Sequence, residues 1–183
     1  MHLARAESRF GVLPMLLSAG RIVLGPLYVL ALGASAELPL IVATLAAASD
    51  FVDGRLARRL GSASRRGAVL DVVGDGVFVV CALSALAAQG VVSRLLPAAV
   101  VLALGALAVA ALRATRTPPP TDAPPRRGPA DRAGHFAGIA NYALVLVASG
   151  ALAASLRAGF LMPVSVAVAC LNLAPVLLRL TRG

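Results

Sequence analysis

Six apolar runs limit what this chain can become. They lie at about 14–33, 38–58, 67–90, 94–113, 135–154 and 159–178, separated by glycine, proline and arginine. A helix needs about 20 apolar residues to cross a hydrocarbon layer roughly 30 Å thick. Inside lipid every backbone N–H and C=O must be bonded internally, which a helix achieves within its own segment. The pattern predicts an all-α integral membrane protein of six transmembrane helices, one membrane domain spanning 1–183. Composition agrees, with 59% of residues hydrophobic and 14% charged, where a soluble domain carries about 25% charged residues. An ordinary soluble protein and a disordered one are excluded.

Ahead of the first run, Leu3, Phe10, Val12 and Leu13 interleave with Arg5, Glu7 and Arg9 and suit a short N-terminal interfacial segment. Ala34-Ser35-Ala36 has the form of a signal-peptidase site. The stretch before it is long for a leader and contains Arg21, so it is kept as a span.

The net charge of +9 comes from 17 basic residues, every one of them arginine. Threading the chain with both termini in the cytoplasm leaves only Arg94 and Arg157 outside. That asymmetry is the positive-inside pattern of a cell or inner membrane protein, so the charge reports topology before it reports a nucleic-acid partner. The stretch 114–133 holds Pro118, Pro119, Pro120, Pro124, Pro125 and Pro129 and is expected to be an extended cytoplasmic loop with little helix. Cys81 and Cys170 sit within apolar runs and read as small packing residues.

The acids are more informative. Of eight, Asp50, Asp53, Asp71 and Asp75 fall within or at the ends of spans, where an ionised carboxylate costs a few kcal/mol and needs a partner, a cation or water. Asp50, Asp53, Gly54 and Ala57 share one helix face, and Gly67, Asp71, Gly74 and Asp75 share another. With Arg58 and Gly67 as the boundary, a rise of about 1.5 Å per residue puts Asp53 and Asp50 about 7 and 12 Å inside, and Asp71 and Asp75 about 6 and 12 Å. Four carboxylates at one depth, with no histidine or cysteine nearby, suit hard cations such as Mg²⁺ or Mn²⁺. Two such ions would neutralise the acids and leave coordination for phosphate oxygens. The small residues beside them serve either close helix packing or space for a ligand.

Written out, Asp50-x₂-Asp53-Gly54-x₂-Ala57-Arg58-x₈-Gly67-x₃-Asp71-x₃-Asp75 resembles the signature of the CDP-alcohol phosphatidyltransferase family at every defined position and spacing. The resemblance implies a six-helix membrane enzyme of phospholipid biosynthesis, usually a homodimer, with a polar cavity open to the cytoplasm. Such an enzyme moves a phosphatidyl group from CDP-diacylglycerol, or a phosphoalcohol from a CDP-alcohol, to a hydroxyl acceptor and releases CMP. By position, Asp50, Asp53 and Asp71 would hold two divalent metals. Asp75 would be the general base and would share metal contacts. Gly54, Ala57, Arg58 and Gly67 would frame the cytidine diphosphate. Upstream, Pro14-x₃-Ser18-x₂-Arg21 resembles the family's Pro-Asn-x₂-Thr-x₂-Arg, with Met15 in place of the asparagine and Ser18 in place of the threonine. Arg21 then either contacts the pyrophosphate or snorkels to the interface.

The acceptor is less legible. Arg126, Arg127 and Arg132, with His135 at the mouth of the fifth span, suit a phosphorylated polyol such as glycerol 3-phosphate or inositol phosphate. They also read as inside-positive anchors and an interfacial histidine. Asn141, Tyr142 and Asn172 are polar residues in lipid, explained by interhelical hydrogen bonds as well as by substrate contact. The same chemistry with an amino alcohol or lipid acceptor is the alternative. A small cation or proton transporter is the rival of another class, opposed by the apolar outer halves of the spans. A non-catalytic scaffold is opposed by the intact motif.

Overall fold

The computed structural model describes residues 19–60, 65–116, 129–156 and 158–181. The side chains of 53–60, 65–69 and 112–116 lie outside the described set, as does the interfacial segment expected before residue 19. The described chain forms α1 (Ala19–Ala34), then α2 (Leu38–Leu60), α3 (Arg65–Ala88), α4 (Leu95–Arg116), α5 (Pro129–Ala153) and α6 (Leu161–Leu180), with a 3-10 turn at Ala158–Phe160. No strand occurs among the described residues. Leu70–Ala88, Pro129–Ala153 and Leu161–Leu180 are long and apolar enough to cross a membrane, whereas Ala19–Ala34, Leu38–Val52 and Leu95–Ala111 are shorter apolar stretches. Large aliphatic side chains face outward, among them Val23, Leu30 and Leu102. Such a surface is at home in lipid.

Each described helix overlaps one of the six apolar runs, three of them with the length and hydropathy of a membrane span, and the fifth begins earlier than expected. The region expected to be extended loop from 114 to 133 is helical up to Arg116 and again from Pro129. Proline is at home in a first turn, where its missing N–H has no intrahelical partner and its fixed φ suits the helix. The same placement recurs at Pro39 in α2, Pro97 in α4 and Pro163 in α6. Asp131 in the first turn of α5 adds an anion where the helix dipole favours one.

Tight connections gather at one end of the bundle. Ser35 Oγ accepts from Leu38 N at 3.2 Å to start α2. At the end of α3, Val91 N donates to Leu86 O at 3.0 Å and Gly90 N to Ala87 O at 3.1 Å. Gly90 supplies the positive φ of 72° that this C-terminal cap requires. The end of α5 repeats the pattern, Leu156 N to Ala151 O and Ser155 N to Leu152 O, with Ser155 at φ 54°. Ser93 N donates to Ser165 Oγ at 2.8 Å, tying the α3–α4 connection to α6.

Between lipid-facing sides, the helices meet along narrow stripes. On α1 the buried positions are Arg21, Gly25, Tyr28 and Ala31, one helix face. On α6 they are Leu161, Ser165, Ala169, Asn172 and Pro175. Helix α5 packs on α2, α3 and α6, and α4 packs on α3 and α6. Lipid offers little hydrophobic drive for helix association, so close van der Waals contact and polar pairs carry it. Asn141 and Asn172 supply such a pair, each amide nitrogen donating to the other's Oδ1 at 3.0 and 2.9 Å. Tyr28 OH and Ser149 Oγ share a hydrogen bond of 2.7 Å between α1 and α5. Of the cysteines, both free, Cys81 is half-buried and Cys170 is exposed, so only Cys81 takes the expected place between helices.

Gly25 sets the distance between α1 and α3: a Cβ there would meet Phe78 Cα and Val77 O, both at 3.3 Å. Gly25→Leu should therefore lower stability by about 1–3 kcal/mol, read by thermal unfolding in detergent. Gly33→Ala is the control, because nothing lies within 4 Å of its added Cβ.

Candidate functional site

The stripe that carries α1 onto its neighbours ends in a charge. Arg21 is wholly buried, at 0% exposure. Its position follows from the helical repeat, since Gly25 and Tyr28 lie one and two turns further along the same face. A guanidinium there cannot reach water and must find its anions within the bundle. It does so on two helices. Nη1 donates to Asp50 Oδ1 of α2 at 3.0 Å and to Asp75 Oδ1 of α3. Nη2 donates to Asp71 Oδ1 of α3 at 2.5 Å.

The three aspartates keep an open side. Their side chains are 48%, 45% and 32% exposed for Asp50, Asp71 and Asp75, while Arg21 is wholly buried against them. One oxygen from each lies within 4.8 Å of the other two. All the donors are hard oxygens, the set that suits Mg²⁺ or Mn²⁺, so the residues fit a divalent cation.

A fourth helix reaches the same cluster. Tyr142 OH of α5 donates to Asp75 Oδ1 at 2.8 Å. Its ring stacks on Phe78 of α3, with centroids 5.5 Å apart and planes at 18°. Phe78 in turn meets Tyr28 edge-on at 6.0 Å and 82°. The site thus sits where α1, α2, α3 and α5 converge.

Of the four acids singled out in the sequence, Asp50, Asp71 and Asp75 are brought together, one oxygen of each within 4.8 Å of the others. Asp53, Gly54, Ala57 and Arg58 fall within α2 and Gly67 within α3, but their side chains lie outside the described residues, as do Ser18, Arg126 and Arg127. Arg132 and His135 are exposed on α5 toward its start. The His135 ring lies 6.2 Å from that of Phe136. Arg21 does not snorkel: the carboxylates hold it inside, and the stripe it shares with Gly25 and Tyr28 was the signal for this. The Asn141–Asn172 pair is an interhelical bond, whereas Tyr142 joins the acidic cluster. No local pattern marks that second contact, because Tyr142 and Asp75 are distant in sequence.

A family model described as CDP-alcohol phosphatidyltransferase matches residues 11–171. No solved structure matches the chain.

Arg21 is the counter-charge of the cluster. Arg21→Gln should destabilise the metal-free protein by about 2–3 kcal/mol, less than the 3–5 kcal/mol of a fully buried broken pair because the carboxylates are partly hydrated. Melting in a chelator should show the loss, and Mg²⁺ or Mn²⁺ should restore more stability to the variant than it adds to the wild type.

Proposed function

Because this chain belongs to the CDP-alcohol phosphatidyltransferase family, whose members transfer a phosphatidyl group from a CDP-alcohol to an acceptor with a divalent metal, we propose that it transfers the phosphatidyl group of CDP-diacylglycerol to a phosphorylated polyol and releases CMP. The observation that carries the reading is the convergence of Asp50, Asp71 and Asp75, one carboxylate oxygen of each within 4.8 Å of the others.

In this reading the six helices form a single membrane domain of the cell or inner membrane, both termini cytoplasmic, working as a homodimer. The diacylglycerol chains stay in lipid while the pyrophosphate enters between α1, α2 and α3. Asp50, Asp53 and Asp71, with a share from Asp75, would hold the two divalent ions, which would supply positive charge to neutralise the pyrophosphate and the departing CMP. Gly54, Ala57, Arg58, Gly67 and Ser18 line the nucleotide. Arg21, already among the carboxylates, turns its guanidinium to the phosphates, for which its planar fork is suited. Asp75 takes the proton of the acceptor hydroxyl.

The acceptor assignment is supported by the geometry of α5. Arg132, His135 and Tyr142 fall within about a quarter turn of one another at roughly 100° per residue. Since Tyr142 faces the cluster, the other two project from the same side, about 15 and 10 Å nearer the start of the helix. Together with Arg126 and Arg127 they would receive the acceptor's phosphate.

The test uses purified protein in lipid nanodiscs with CDP-diacylglycerol, Mg²⁺ or Mn²⁺ and a panel of alcohols. CMP should appear with glycerol 3-phosphate or an inositol phosphate. It should vanish with a chelator, and fall at least about 100-fold in Asp75→Asn, the lower range for a lost general base. Release with an amino alcohol instead would reassign the acceptor. No CMP with any alcohol, together with metal-driven ion flux in liposomes, would replace the transferase with a transporter.

A further inference from the structure

Resting on the transferase reading, with Asp75 as base, we infer that Tyr142 is the positioning residue of the reaction: its phenol holds Asp75 by Oδ1 so that Oδ2 faces the acceptor hydroxyl. Both neighbours that grip this carboxylate, Arg21 Nη1 and Tyr142 OH, do so through Oδ1. Neither takes Oδ2. A carboxylate on a helix otherwise turns about its side-chain bonds, and a base must present one oxygen to the proton it removes.

The two grips are not equivalent. Arg21 also serves Asp50 and Asp71, and it carries the charge that incoming phosphates attract. Once it turns to the substrate, Tyr142 is the remaining donor on Oδ1. Tyr142 is neutral, and its position does not depend on the substrate. Its ring lies flat on Phe78, and Phe78 is braced edge-on by Tyr28. Tyr28 is tied through its hydroxyl to Ser149, two turns beyond Tyr142 on α5. Three rings thus bridge α1, α3 and α5 and fix the direction in which the phenol points.

The acceptor's O–H bond breaks and its proton goes to Asp75 Oδ2. The acceptor oxygen forms a bond to the lipid-side phosphorus, and the P–O bond to CMP breaks, its electron pair leaving with CMP. Tyr142 neither gains nor loses a proton overall. Its hydroxyl, 2.8 Å from Oδ1, acts on the carboxylate and takes no part in the bonds made and broken.

Tyr142→Phe separates the hydroxyl from the ring, since the variant can still stack on Phe78. In nanodiscs, with the acceptor on which the wild type is active, kcat should fall about tenfold or more, the scale of a lost hydrogen bond to a charged group. KM for CDP-diacylglycerol and for the acceptor should stay within about twofold of the wild type, the pattern of an interaction that serves the chemical step. The melting temperature should be unchanged. Tyr142→Leu, which removes ring and hydroxyl, should lose both kcat and stability. An unchanged kcat in Tyr142→Phe overturns the inference. So does a raised acceptor KM at constant kcat, which would make Tyr142 a binding contact, or a kcat loss matched by a lower melting temperature, which would make it structural. If the wild type releases no CMP with any acceptor, the transferase reading fails and takes this inference with it.

Discussion

A guanidinium without access to solvent is among the costliest groups to place between helices, and its cost is met here by three carboxylates from two other helices. Arg21 reaches Asp50 on α2 and Asp71 and Asp75 on α3. Neither side of this arrangement would be stable alone. Without the arginine, three acids would face one another within 4.8 Å, and without the acids a buried cation would stand unbalanced. The bundle must therefore assemble with these three helices in one relative height, since a helix rises about 5.4 Å per turn and a slip of one turn would break every bond in the cluster.

Around that fixed point, apolar packing does the remaining work cheaply. The seams combine alanines with wholly buried larger side chains such as Leu83, Leu86, Leu96 and Val145, while other large aliphatics face outward. Gly25 lets α1 approach the backbone of α3, and Gly76 leaves room for Leu104 of α4, whose Cδ1 would lie 3.0 Å from an added Cβ. The aromatic bridge from Tyr28 through Phe78 to Tyr142 lies beside the acids. These rings pack α1, α3 and α5 together next to the carboxylates.

Much of this was legible in the chain itself, for reasons that are local. Asp71 and Asp75 are one turn apart, and their depth relative to Asp50 follows from counting residues through two antiparallel helices. The helix face of Arg21 could also be read, from Gly25 and Tyr28, although its partners could not. What stayed hidden depends on elements far apart in sequence. Tyr142 meets Asp75 only because α5 packs on α3, and nothing near either residue announces it. The start of α5 was obscured for a different reason: Pro129 follows a run of prolines and shares their look, yet a first turn and an extended segment accept proline equally well.

The reciprocal amide bond between Asn141 and Asn172 has a role beyond holding two helices together. Apolar seams resist separation but tolerate rotation, since one small aliphatic residue replaces another at little cost. An amide pair tolerates none, because both donors and acceptors must meet at once. It works as a keyway for α5. Asn141 and Tyr142 are consecutive, so their side chains leave the helix about 100° apart. When the first is keyed to α6, the second is aimed at α3. A bond that never touches the acids thereby fixes the azimuth from which they are addressed.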